Sequence, residues 1–190
     1  YTFAEARRTG IFWMFCTIEF LFLPSLATIP LHIVVHGMDL GMTAGVAAAL
    51  VSTMAAASAV SRLIAGIFFD KFGGKGALVM CLVPLLLSLL ILLVIDTAAL
   101  LFLVMVVYGF AHGGLFTVMS PLVAEYFGLK AHGALFGLIL FFGTISGAVA
   151  PVLAGYIFDT TGSYSVAFSI LAAMVSVGIL LTFFLPSVRS

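Results

Sequence analysis

Apolar residues run through the chain in six long blocks, at about 11–36, 42–69, 77–95, 98–119, 133–158 and 164–186, with short polar breaks between them. A helix needs about 20 residues to cross a hydrocarbon core of about 30 Å. Each block is long enough, so each is predicted as a transmembrane helix. The first carries Pro24 and Pro30 and is expected to be kinked or tilted. No ten-residue stretches of alternating polarity recur, which argues against a membrane barrel. The predicted fold is an all-α membrane protein of six transmembrane helices, a single domain over residues 1–190.

The breaks are of two kinds. Arg7 and Arg8 precede the first span, Lys71 and Lys75 lie between the second and third, Lys130 between the fourth and fifth, and Arg189 after the sixth. The other breaks contain Asp39, Asp96 and Asp159 but no Lys or Arg. Basic residues are retained on the cytoplasmic side, so both termini are expected there, in an integral protein of the plasma (cytoplasmic) membrane. This alternation explains a repeated phrase. "GIFFDKFGGK", from Gly66, and "GYIFDTTGSY", from Gly155, share G-x-x-F-D-x-x-G at a separation of 89 residues, and only the first has lysines. One copy ends a span inside and the other ends a span outside. The chain therefore reads as two three-helix units of opposite orientation, an inverted 3+3 repeat of the kind found in transporters. Pro30-Leu31 and Pro121-Leu122 form a weaker second echo.

Composition excludes most other classes. With 64% hydrophobic and 7% charged residues and zero formal net charge, the chain has too little polar surface for a soluble globule and no field for nucleic acid. Its mean hydropathy is +1.37. Cys16 and Cys81 lie inside apolar runs and read as small core residues. There is no metal-ligand spacing, phosphate loop or nucleophile–base pair, so neither catalysis nor a cofactor is expected. The N-terminal "YTFAEARRTG" does not resemble a cleavable signal, and without an initiating Met the stretch is expected to belong to a longer chain.

"GIFFDKFGGK" resembles the signature loop of the major facilitator superfamily, G-x-x-x-D-[RK]-x-G-x-[RK], which joins the second and third helices of each six-helix half. "SPLVAEYFGLKAHGALFG" and "GAVAPVLAGYIFDTTGSYSVAF" resemble the fourth-to-fifth helix region of the C-terminal half of monocarboxylate transporters and the related oxalate:formate antiporters. The resemblance covers essentially the whole chain. It implies half of a twelve-helix fold, a missing N-terminal six-helix half as partner, and a cavity lined by the first, second, fourth and fifth helices while the third and sixth face lipid. It also implies that Asp70, Lys71, Gly73 and Lys75 form a conformational latch at the cytoplasmic side. A tight turn anchored by cytoplasmic charge is the plainer alternative.

Polar residues within the spans agree with that division. A charge in a span is costly and usually faces a cavity or the bundle interior. Glu19, Arg62 and His112 fall in the first, second and fourth spans, and the third and sixth contain no charge or histidine. At about 1.5 Å per residue they lie roughly 10–12 Å from the cytoplasmic ends of their spans, near enough in depth to form one layer. Arg62 is the leading substrate candidate, because a guanidinium presents a planar fork of donors that matches a carboxylate. Its place eight residues before Asp70 matches the substrate-binding arginine of the resembling family. A structural tie between Arg62 and Glu19 is the alternative.

Two departures limit the match. Proton-coupled members carry an acidic residue four positions before this arginine, where Ser58 stands here; dicarboxylate antiporters add a lysine in the fifth helix, which is absent here. Ser58 and His112 are further substrate-binding candidates, and Glu19 is the candidate for proton coupling, with a static salt bridge as the competing reading. His32 and His36 sit near the outer end of the first span and read as interfacial or entrance-lining. Gly143, Gly147, Pro151 and Gly155 are expected to serve helix packing in the fifth span. The expected function is alternating-access transport of a small carboxylate, together with protons in the coupled reading. A porter for another solute, disfavoured by the lack of any Asn or Gln, and a non-transporting membrane module remain the alternatives.

Overall fold

The computed structural model describes residues 1–95 and 97–186. Asp96 and Arg189, which entered the orientation argument, lie outside the described residues. The chain forms α1 (Phe3–Ala6), α2 (Gly10–Asp39), α3 (Ala44–Leu92), α4 (Ala98–Phe127), α5 (His132–Thr161) and α6 (Ser165–Phe184). Five of these, α2 to α6, are long and apolar enough to cross a membrane. Threonines cap several helix starts: Thr2, Thr9 and Thr43 accept hydrogen bonds from the backbone N–H groups of Glu5, Phe12 and Val46. Gly128 and Gly162 end α4 and α5 with positive φ, +74° and +69°, where a side chain would be strained.

At 49 residues, α3 would be about 74 Å long if straight, more than twice the hydrocarbon core. It turns back at Gly73, whose φ of 78° and ψ of 166° are not helical and belong to a region that essentially only glycine enters. Segments 44–72 and 74–92 are thus the second and third spans, joined without a loop. Both outer ends meet the end of α2: Leu50 lies against Gly37, and Leu92 borders a cleft with His36. The turn itself lies at the opposite end, beside Glu125 near the end of α4.

Packing follows the two units. α5 lies along α2, α4 along α3, and α6 against α3 and α2. Exchanging the first span with the fourth and the second with the fifth turns the α2–α5 pair into the pair of α4 with segment 44–72, as an inverted repeat requires. Glycines permit both approaches. Gly109 and Gly113 bring α4 onto the backbone at Met54 and Ser58, and Gly143 and Gly147 bring α5 onto Glu19 and Leu23. The core between the helices is largely aromatic and aliphatic, with Phe12, Phe15, Phe22, Tyr108 and Phe127 fully buried. The third and sixth spans present Val83, Leu87 and Leu90, and Val166, Ile170 and Leu180, on their exposed sides, surfaces suited to acyl chains.

Candidate functional site

The close contact of α4 with segment 44–72 sets the central cluster. Ser61 Oγ donates to the Phe110 carbonyl, and one turn away the buried Ser58 Oγ lies 3.4 Å from His112 Nδ1. The His112 ring sits between Tyr108 and Phe116, with centroids 5.9 and 5.1 Å away. Tyr108 is itself held, donating its hydroxyl to the Ser25 carbonyl of α2 at 3.0 Å. Arg62 follows Ser58 by four residues, one turn further along the same face. It is exposed on the six-helix unit. The arrangement offers an open guanidinium beside a hydroxyl–imidazole pair, which suits an anion that carries a second polar group.

Glu19 stands apart from this cluster. It is 2% exposed, and its Oε2 is buried without a hydrogen-bond partner, so the tie to Arg62 does not form. The side chain borders a small apolar space with Leu26, Leu115, Phe116 and Met119. A Cβ added to Gly143 would lie 2.6 Å from Glu19 Cγ, so that glycine makes the room the glutamate occupies. An unmatched buried polar atom costs about 1–3 kcal/mol. Phe116 is common to both surroundings, touching the His112 ring on one side and bordering the Glu19 space on the other. Along the same seam, Gly147 faces Leu23 and Ala27, the Pro151 carbonyl lies 3.0 Å from His32 Nε2, and Gly155 lies next to the His32 ring.

The end of the bundle at the Gly73 reversal holds the residues for which a latch is expected. Asp70 and Lys71 are exposed, and Gly73 makes the reversal. Lys75 Nζ donates to the Phe183 and Leu185 carbonyls, at 2.9 and 2.7 Å, and so neutralises the end of α6. Glu125 escaped the sequence reading. Its Oε2 accepts the Gly74 N–H at 2.9 Å and caps the start of the third span. Its signal was a lone acidic residue beside an otherwise basic break. Gly109 and Gly113 were also missed, although they repeat the G-x-x-x-G spacing noted in the fifth span. Replacing Glu125 by Ala in the full-length protein is expected to remove about 0.5–2 kcal/mol of stability, as loss of a helix cap does. Glu125→Gln, which keeps an acceptor, should recover most of it. Thermal unfolding in detergent measures both, and equal losses in the two variants would show that the cap is not what Glu125 contributes.

Comparison with known proteins agrees with this architecture. The family model of the Major Facilitator Superfamily matches residues 6–190. Monocarboxylate transporter 12 of Rattus norvegicus and of Mus musculus are each 34% identical over 77 residues, 40% of this chain and 16% of the relative. Monocarboxylate transporter 14 of Homo sapiens is 30% identical over 105 residues, 55% of this chain and 20% of the relative. The matched stretch thus spans at most a fifth of the length of these relatives.

Proposed function

The chain belongs to the major facilitator superfamily, and from that premise we propose that it forms one six-helix half of a transporter that carries a small monocarboxylate across the plasma membrane by alternating access, in step with a proton. The missing N-terminal half closes the other side of the cavity, and both termini lie in the cytoplasm. The observation that carries this reading is Arg62, a guanidinium within a span, exposed beside Ser58 and His112 and not bound to Glu19, the one carboxylate inside the apolar runs. A permanent charge at that depth needs an anion, and its fork fits a carboxylate. Of the seven Lys and Arg residues only Arg62 lies in an apolar run, so a second carboxylate would find no cation there. The relatives' name, monocarboxylate transporter, agrees with this count.

Ser58 and His112 hold the polar group next to the carboxylate. Glu19 carries the proton, reached past Phe116, so that anion and proton cross together without net charge. Asp70, Lys71, Gly73 and Lys75 act as the cytoplasmic latch, and Gly143, Gly147, Pro151 and Gly155 let α5 slide on α2.

The test is uptake by proteoliposomes containing the full-length transporter, given labelled monocarboxylates, dicarboxylates and neutral sugars with and without external acid. Monocarboxylate uptake should be selective and acid-stimulated. Glu19→Gln should keep carboxylate exchange and lose accumulation driven by the proton gradient. Uptake of sugars or dicarboxylates in preference would overturn the substrate assignment, and gradient-driven accumulation by Glu19→Gln would remove the proton from Glu19.

A further inference from the structure

A second polar centre lies at the outer end of the bundle. His32, half-buried near the end of α2, places Nε2 3.0 Å from the Pro151 carbonyl of α5 and Nδ1 3.1 Å from the hydroxyl of Tyr164, the N-cap residue of α6. A carbonyl only accepts, so Nε2 carries a hydrogen; in the neutral ring Nδ1 then only accepts, and Tyr164 donates to it. One imidazole thereby joins the first, fifth and sixth spans in a single tautomer. Tyr164 is held rigidly for this role, stacked on Phe158 at 4.4 Å and on Phe168 at 5.6 Å between ring centroids.

We propose that His32 is a proton-binding site open to the outer side, and that its protonation tightens the tie between the outer ends of α2, α5 and α6. A proton added at Nδ1 reverses the bond to Tyr164: the ring donates and the phenol oxygen accepts. Both bonds then originate from a cation and strengthen. The Tyr164 hydroxyl proton, released from the ring, turns into the cleft that Tyr164 shares with Asp39 at the end of α2; Asp159, near the end of α5, is the other carboxylate at this end of the bundle. The other titratable neighbour is His36 on α2, whose ring stands edge-on to Tyr164 and Phe168. The outer ends of α3 and α4 bring no Lys, Arg, His, Asp or Glu among the described residues. The site is separate from Arg62 and Glu19, and its function does not depend on what the transporter carries.

The test is therefore conformational and uses no substrate. Spin labels replace Met38 on α2 and Val166 on α6, both exposed, in the full-length protein, and the distance distribution between them is followed from pH 8 to pH 5.5. The distribution should narrow on acidification across this range. His32→Gln, which supplies an N–H and an acceptor but has no proton to gain, should make the distribution independent of pH. Tyr164→Phe keeps the ring stack, loses the hydroxyl, and should also abolish the response, while His36→Gln should leave it intact. A distribution in the parent that does not change with pH would overturn the proposal. So would a response that survives both His32→Gln and Tyr164→Phe, or one that disappears with His36→Gln alone.

Discussion

Arg62→Lys is expected to weaken substrate binding by about 10- to 100-fold, although the charge is retained. An ammonium is a point charge with no planar fork, so one of the two parallel bonds to a carboxylate is lost. A hydrogen bond to a charged group contributes about 1.5–3 kcal/mol, and 1.4 kcal/mol is a factor of ten in affinity. Arg62→Ala should reduce binding below detection. Because the Arg62 side chain is exposed on the six-helix unit, neither change should reduce the yield of folded protein. The measurement is KM for uptake together with equilibrium binding to the full-length transporter. Parent-like affinity in Arg62→Lys would show that charge alone, or another group, holds the substrate. A fall in folded yield would instead give Arg62 a structural role.

Gly113→Val is expected to cause the largest loss of stability. A Cβ at this position would lie 2.1 Å from the Ser58 carbonyl oxygen and 2.7 Å from its carbon, and backbone cannot rotate out of the way as a side chain can. The fourth span must therefore move off the second. Overpacking of this kind costs about 1–3 kcal/mol, occasionally more. The displacement also separates Ser58 from His112, so substrate binding should fall together with the thermal midpoint. Gly137→Ala is the control, because a Cβ there meets nothing within 4 Å, and alanine favours a helix over glycine by about 1 kcal/mol. Thermal unfolding and gel filtration of the two variants measure the contrast. A Gly113→Val protein as stable as the parent would mean that the two helices are not held this closely.

Much of the fold was readable because bilayer thickness sets a length that each apolar block must meet by itself, without reference to its neighbours. The reversal at Gly73 was readable as a break between two runs, but not as a single residue. That depends on a backbone conformation stabilised by the hydrogen bond from the Gly74 N–H to Glu125, 51 positions further on. The stripe of Gly143, Gly147, Pro151 and Gly155 was visible as spacing, whereas its partner helix was not, since a stripe of small residues permits close approach without naming what approaches.

The site divides in the same way. Residue type and depth singled out Arg62, His112 and Glu19, because charge in an apolar run is costly enough to be conspicuous whatever the packing. Their relations could not be read from depth. Three residues at one level of a bundle can point in different directions, and only the register of α4 on segment 44–72 brings His112 to Ser58 and leaves Arg62 free, while α5 confines Glu19 behind Phe116. The sequence by itself determined that this is an all-helical membrane protein with six spans, and which polar residues lie within them. The tertiary structure alone decided which polar groups meet, because helix rotation and register are set by side-chain contacts between segments far apart in the chain, and a local pattern of hydrophobicity is nearly the same for every such arrangement.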